Sequence, residues 1–447
     1  MNSLSTIQDK AQPRPSFSEA DAARLAFDLY GLIGPVKELT SERDQNFHIE
    51  ADSGEQFVLK IAAAAERKET LEFQNAVMAL LGERVRSGFI PQLRKTKSGD
   101  DIATVDGESH SPHFVRLLTY HPSALLAEVN PHTPDLLRSL GHFLGEIDKA
   151  LDGFTHPASR RELKWDLQGA LWIKEYTHHI ATPERRAIVE HFIRQFETRV
   201  VPVTSNLRTS VVHNDANDYN VLVRDDGAGR RTVAGIIDFG DMLHTYTASE
   251  VVVAAAYAML DKADPLAAAL EIVAGYHEVF PLTELELEVL YTLICIRLAV
   301  SVTNSALQQK LHPDNKYLLI SERPASELLE KLYGVDPALP HCLFRHACKL
   351  AACPQSASVV DWLARNANAI GPVVDADLKS DQPARVRSSA LRRKLVVQST
   401  DFSRLVEIGQ TKPPTKVGTL NDELPPEGRT TSIFFDLSVG SPEFSDP

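Results

Sequence analysis

Cysteine is scarce in this chain, four among 447 residues, and no two of them are spaced C-x-x-C. That argues against a disulfide framework and for free thiols in a reducing compartment, the cytoplasm. Cys342, Cys348 and Cys353 lie near His341 and His346. Without the paired spacing of a zinc site they read as the apolar face of a helix. Long apolar runs are missing too: Val251–Leu260 falls well short of the roughly 20 residues that a membrane-spanning helix needs. Residues 1–16 hold Pro13 and Pro15 and no apolar stretch, so they do not read as a signal peptide. Positive charge is in deficit, 47 Lys and Arg against 60 Asp and Glu, for a net charge of −13. A nucleic-acid partner needs a basic surface and is not expected, whereas a cationic small molecule would be drawn in.

What is present is a polar stretch held between apolar runs. Val211–Val212 leads into His213–Asn214–Asp215–Ala216–Asn217–Asp218–Tyr219–Asn220. Val221–Val223 follows, and Ala234–Ile237 then delivers Asp238–Phe239–Gly240–Asp241. H-x-D-x-x-x-x-N followed by Asp-Phe-Gly is the spacing of phosphoryl-transfer machinery. The residue types suit that chemistry. Asp215 can accept the proton of an attacking hydroxyl. Asn220 and Asp238 offer hard oxygens to Mg2+, which neutralises nucleotide phosphates as charge moves in the transition state. An Asx-capped polar turn would account for the Asn and Asp content but not for the paired spacing. His213 is expected to hold the loop in shape through backbone bonds rather than to act as acid or base.

These residues resemble the aminoglycoside phosphotransferase and choline kinase superfamily. Within it they are most similar to the hydroxylysine kinase branch and to the phosphotransferase domains fused to class III aminotransferases. Asn214 departs from the Gly commoner in the family. The resemblance implies an α+β fold like that of protein kinases, with an antiparallel, β-rich N-lobe and a mainly helical C-lobe. On that reading residues 1–17 are a disordered leader, 18–121 the nucleotide-binding N-lobe and 122–370 the C-lobe with the catalytic loop. Residues 371–447 form a largely irregular, linker-like tail leading toward a further domain. The implied activity is transfer of the γ-phosphate of ATP or GTP, with Mg2+, to a hydroxyl of an amino alcohol, 5-hydroxylysine first. The implied partner is a class III aminotransferase, associated covalently or functionally, with neither nucleic acid nor membrane involved.

Ser18, with Asp21 three residues on, starts a helical pattern. Val36–Leu39, Asn46–Ala51 and Gln56–Ile61 then read as strands. Lys60 stands where alternation allows an edge-facing residue, and the resemblance makes it the lysine of the α/β-phosphates. The helix over 66–81 offers Glu69 or Glu72 as its ion-pair partner. Glu72 is preferred, because Leu71, Val77, Leu80 and Leu81 set the apolar face beside it. No G-x-G-x-x-G is present, which excludes the phosphate loop of protein kinases. The resemblance puts the polar residues 40–47 in its place, with Ser41, Arg43 and Asn46 able to donate to phosphate oxygens; a plain solvated turn is the alternative. Phe114–Tyr120 is a strand expected to become the hinge.

Helices are expected from Thr133–Pro134, from Lys164–Leu167 and from Thr182–Pro183, then over 248–260, 265–279 and 283–308. Asp218, Asp241, Glu250, Trp165, Asp166, Tyr257 and Arg297 are candidates to touch the acceptor. An amine needs carboxylates or an aromatic face, and an amino-acid carboxylate needs an arginine. Asp218 and Asp241 lead the set, since their neighbours already belong to the site. Further on, a helical region over 338–363 gives way to a charged run at 379–394 and a Pro-, Thr- and Glu-rich run at 411–428. Residues 432–439 form a lone apolar strand that resembles the start of the following domain in the fused enzymes. The same motifs fit other acceptors, an aminoglycoside, choline, ethanolamine or homoserine. They also fit a nucleotide-binding pseudokinase or regulatory module, against which the intact Asp215, Asn220 and Asp238 argue.

Overall fold

A reciprocal pair of hydrogen bonds starts the first helix, α1 (Glu19–Leu25). The Asp21 N–H donates to Ser18 Oγ and the Ser18 N–H to Asp21 Oδ2, each at 3.1 Å. The computed structural model describes residues 14–41, 43–107, 112–311 and 322–354, and those up to Cys348 belong to one compact unit.

Strands β1 (Val36–Leu39), β2 (Gln45–Glu50) and β3 (Gln56–Ile61) are followed by helix α2 (Lys68–Arg84). Then come β4 (Leu93–Arg94), β5 (Ala103–Asp106) and β6 (Pro112–Thr119). They form one antiparallel sheet in the order β1-β2-β3-β6-β4, with β5 also on β6. Alternation decides its faces. Phe47, Ile49, Phe57, Leu59, Ile61, Val115 and Leu117 are buried together on one side, with Ala22 of α1 among them. At about 2 kcal/mol for each large side chain, that face holds the sheet whatever stands on the other. The register pairs Asn46 with Lys60 and Lys60 with Arg116, so the opposite face carries a polar row across three adjacent strands.

The remainder is mainly helical: α3 (Pro134–Leu151), α4 (Pro183–Arg199), α5 (Ser249–Ala258), α6 (Pro265–Val279), α7 (Glu284–Leu311), α8 (Glu322–Leu332) and α9 (Ala338–Ala347). Two small antiparallel pairings are set among them. One joins β7 (Ala124–Leu125), β9 (Val221–Asp225) and β10 (Arg231–Ile236); the other joins β8 (Thr209–Val212) and β11 (Leu243–Tyr246). The two pairings flank both polar segments of the motif, which fixes those segments at both ends.

The stretch after Lys164, expected as an α-helix, winds instead as a 3-10 helix over Leu167–Glu175. Asp166 caps it by accepting from the Gln168 N–H at 3.0 Å, and the Gly169 N–H reaches Asp166 O at 3.1 Å. That i→i+3 bond sets the tighter winding from the first turn. Helix α9 ends at Ala347, and the strand expected over 432–439 lies outside the described residues. Among the described residues no helix is long and apolar enough to cross a membrane.

Helices α3 and α6 cross backbone to backbone. A Cβ on Gly141 would lie 1.9 Å from Ile272 O, and one on Gly275 2.1 Å from Arg138 O. The same pair buries Asp148, whose Oδ2 accepts from Tyr276 Oη at 2.5 Å. Burial, with Glu250 nearby, holds the Asp148 carboxyl well above its ordinary 3.8. The folded chain therefore keeps a proton that the unfolded chain releases above that pH, and stability falls as pH rises through the window. Asp148→Asn, which mimics the neutral acid and still accepts from Tyr276, is expected to raise the melting temperature at pH 8 by about 2–5 °C. The gain should fade toward pH 4. Thermal scans at the two pH values decide it, and an equal loss at both would refute the protonated Asp148.

Candidate active site

Strand β8 ends in the buried Val212, and the chain turns sharply at Asn214, whose φ is 65°. Asn is among the few non-glycine residues that tolerate this region. The turn is anchored from below. Glu250, fully buried on α5, accepts the Asn214 N–H at 3.0 Å and also bonds the His213 backbone. Burial pushes its carboxyl up to about 7 against the pull of those two N–H groups. Expected as a possible acceptor contact, Glu250 instead supports the loop.

His213 is fully buried, packs edge-on against Phe239 at 4.8 Å, and bonds Ile237 O through Nε2 at 3.1 Å. Its Nδ1 accepts the Asp215 N–H at 3.3 Å, which assigns the proton to Nε2. Burial pulls it down to about 4, so the ring is neutral and serves as a spacer between the two halves of the motif.

Two amides aim Asp215. Asn217 Nδ2 donates to Oδ1 at 2.8 Å, and Asn220 Nδ2 donates to Oδ2 at 2.7 Å and to the Asp215 carbonyl at 2.9 Å. Burial, reinforced by the Asp241 carboxylate, pushes Asp215 up to about 8, and Arg297 pulls the other way. A carboxyl so raised is a stronger proton acceptor than an ordinary one. Because the nitrogen of Asn220 is spent on Asp215, its side-chain oxygen remains for a cation.

Strand β10 delivers Asp238 at φ 57°, a conformation that costs a non-glycine residue on the order of 1 kcal/mol and marks a constrained site. Its Oδ1 accepts the Gly240 N–H at 3.2 Å and meets Lys60 Nζ at 3.4 Å. Lys60 holds the Asp238 carboxyl down at about 2, so it is fully ionised. Arg161 secures the following segment, donating from Nε to Met242 O at 3.1 Å and from Nη2 to Gly240 O. The donor set of Asn220 oxygen and Asp238 carboxylate fits a hard divalent cation. Among the described residues no cluster of three or more His, Cys, Asp or Glu makes a cage by itself. Such a cation would therefore draw further ligands from a phosphate.

Above these acids stand cations from the sheet. Lys60 meets Asp238, and Arg43, in the β1–β2 connection, meets Asp241 Oδ1 at 2.5 Å. Ser41 lies in the same connection, and Asn46 stands beside Lys60 on β2 with its Oδ1 buried. Glu72 is corrected: it is about half exposed and pairs with Lys68 one turn away at 3.8 Å. The residues that α2 turns toward the sheet are the amides Gln74 and Asn75, which bind Arg116 at 2.8 and 2.7 Å. Arg116, beside Lys60 in register, is buried and pulled down to about 10 by that burial. A glutamate turned onto this face would meet Arg116 as well as Lys60.

The remaining candidates divide. Asp241 is taken up by its pair with Arg43. Asp218 is part-buried, its carboxyl raised by burial and in the field of His132 and Lys262. Trp165 and Tyr257 lie against Arg297, with ring centroids 4.5 and 5.3 Å from its guanidinium carbon. Asp166 Oδ1 accepts from Thr245 Oγ1 at 2.5 Å. Sequence reasoning passed over Asn217, Arg116 and Arg161. Asn217 stood inside the motif with its acceptor two residues away, whereas the two arginines carry no local signal.

An oriented carboxylate beside an ionised metal-type carboxylate, faced by cations suited to phosphate, defines a phosphotransferase site. The chain belongs to the phosphotransferase enzyme family, whose profile matches residues 35–286. It is 32% identical over 359 residues to hydroxylysine kinase of Mus musculus, covering 75% of this chain and 94% of that one. It is likewise 32% identical over 342 residues to hydroxylysine kinase of Xenopus laevis, covering 72% and 91%. Among solved structures, a microcompartment-associated aminopropanol kinase superposes with a TM-score of 0.56 at 16% identity, covering 74% of this chain and 99% of that one. An amicoumacin kinase superposes with a TM-score of 0.54 at 13% identity, covering 70% and 94%. These likenesses show the fold: a kinase-like α+β arrangement with an antiparallel N-terminal sheet and a helical C-terminal part.

Proposed function

We propose that this protein is a small-molecule kinase that transfers the γ-phosphate of ATP or GTP to the hydroxyl of an amino alcohol, with 5-hydroxylysine as acceptor. The observation that carries the reading is Asp215, aimed by Asn217 and Asn220 beside the Lys60–Asp238 pair, in a chain that spans nearly the whole of the hydroxylysine kinases it matches. The nucleotide lies between the lobes formed by residues 18–121 and 122–370. Lys60, Arg43, Ser41 and Asn46 bind its phosphates, Lys60 and Arg43 leaving their carboxylates to do so. Asn220 and Asp238 hold the divalent cation, Mg2+, which neutralises phosphate charge when bound. Asp215 accepts the hydroxyl proton and orients the oxygen in line. Catalysis thus rests on positioning and charge neutralisation, without a covalent intermediate.

Nucleotide turnover with Mg2+, measured with and without 5-hydroxylysine, tests the proposal. Turnover that depends on the acceptor is expected. Nucleotide binding with turnover only on an aminoglycoside, choline, ethanolamine or homoserine would transfer the assignment to that acceptor. Absence of nucleotide binding would end it.

A further inference from the structure

Arg297 is the largest fully buried side chain of the protein's described core, 2% exposed, on α7. Among the described residues its partners are two hydroxyls and two aromatic side chains, none of them an anion. Nη1 donates to Ser301 Oγ at 3.0 Å and Nη2 to Tyr257 Oη at 3.2 Å, while Nε is buried and has no partner among the described residues. A buried guanidinium without a counter-ion is costly, so its retention calls for a reason. Trp165 and Tyr257 both lie within cation–π distance of the group. Two of its five N–H groups are used, and Nε with a neighbouring Nη forms the two-pronged fork that matches a carboxylate. A small cavity of about 10 Å³, room for about one water, borders it, lined by Tyr257, Leu260, Arg297 and Ser301 among others. Its field reaches Asp215 without contact between them.

We propose that Arg297 recognises the carboxylate of the acceptor, so that the site takes hydroxylated amino acids in preference to amino alcohols without an acid group. This rests on the kinase reading above. 5-Hydroxylysine carries its hydroxyl several carbons from its carboxylate, so a base and an arginine at separate places are what it needs.

Wild type, Arg297→Gln and Arg297→Lys are assayed with 5-hydroxylysine and with its decarboxylated analogue, 1,5-diaminopentan-2-ol, which keeps both amines and the hydroxyl. Wild type is expected to favour hydroxylysine by about 100-fold in kcat/KM. Arg297→Gln should lose about 100-fold on hydroxylysine, chiefly through KM, and at least about tenfold less than that on the analogue, where only its pull on Asp215 is lost. Arg297→Lys, which keeps the charge and loses the fork, should fall between. Nucleotide affinity and melting temperature of each variant report whether the fold survives. Equal losses on both acceptors would make Arg297 a structural support of Asp215 and overturn the proposal, as would a wild type indifferent to the carboxylate. A wild type that phosphorylates neither acceptor overturns the acceptor reading itself, and the arginine's role with it.

Discussion

Asp215→Ala is expected to lower kcat by about 1,000-fold or more while nucleotide affinity stays within about threefold of wild type. The rate loss follows from the removal of the group that takes the hydroxyl proton, since positioned acid–base catalysis is worth about 100- to 10,000-fold. Binding survives because the other parts are held independently. Asn220 keeps its bond to the Asp215 carbonyl at 2.9 Å when the carboxylate is gone, so its oxygen stays oriented. Asp238 is held by the Gly240 N–H and Lys60. Turnover by titrated nucleotide and isothermal binding separate the two effects, and activity above a tenth of wild type would remove Asp215 as the base.

Gly275→Ala is expected to cost about 3 kcal/mol of stability and several degrees of melting temperature. Two effects oppose each other. Alanine gains roughly 1 kcal/mol over glycine inside a helix. Against that, the new methyl would stand 2.1 Å from Arg138 O and 3.0 Å from His142 N, both backbone atoms of α3. Neither can swing aside as the end of a flexible side chain would, so the helices must part and the overpacking wins. Parting them disturbs the Asp148–Tyr276 bond across the same crossing. Gly169→Ala, where a methyl would meet nothing within 4 Å, is the matched control. A melting temperature equal to wild type in Gly275→Ala would refute the close crossing.

The geometry of the polar segment from Asp215 to Asn220 was legible because its logic is local. Asp215, Asn217 and Asn220 bond one another within six residues, and Asp238 follows on the strand paired with β9, so spacing alone carries their relation. The lobes were legible for the same reason: strand alternation and helix caps are properties of neighbours. What spacing could not convey is which side chains meet across the fold. Glu72 was chosen from the apolar residues near it, but α2 also buries Thr70, Gln74 and Asn75, and it is Arg116 from a strand more than forty residues on that decides this polar face. Glu250 read as an acid after a metal-type strand. Its role comes from α5 running beneath Asn214, a contact with no sequence signature. The 3-10 winding after Asp166 escaped because a cap and an apolar run look alike in both helix types.

The cross-lobe pairs carry a thermodynamic consequence. Lys60–Asp238 and Arg43–Asp241 tie the sheet to the catalytic segment through charges that the proposed chemistry assigns to other partners. Arg43 is more than half exposed, and such a pair contributes only about 0–1 kcal/mol. It therefore acts less as a brace than as a placeholder. The two cations and the two carboxylates screen each other at rest. An anion arriving alone would strand the two aspartates, and a cation arriving alone would strand lysine and arginine. Each ligand lowers the cost of admitting the other, and by reciprocity the two affinities rise by the same factor.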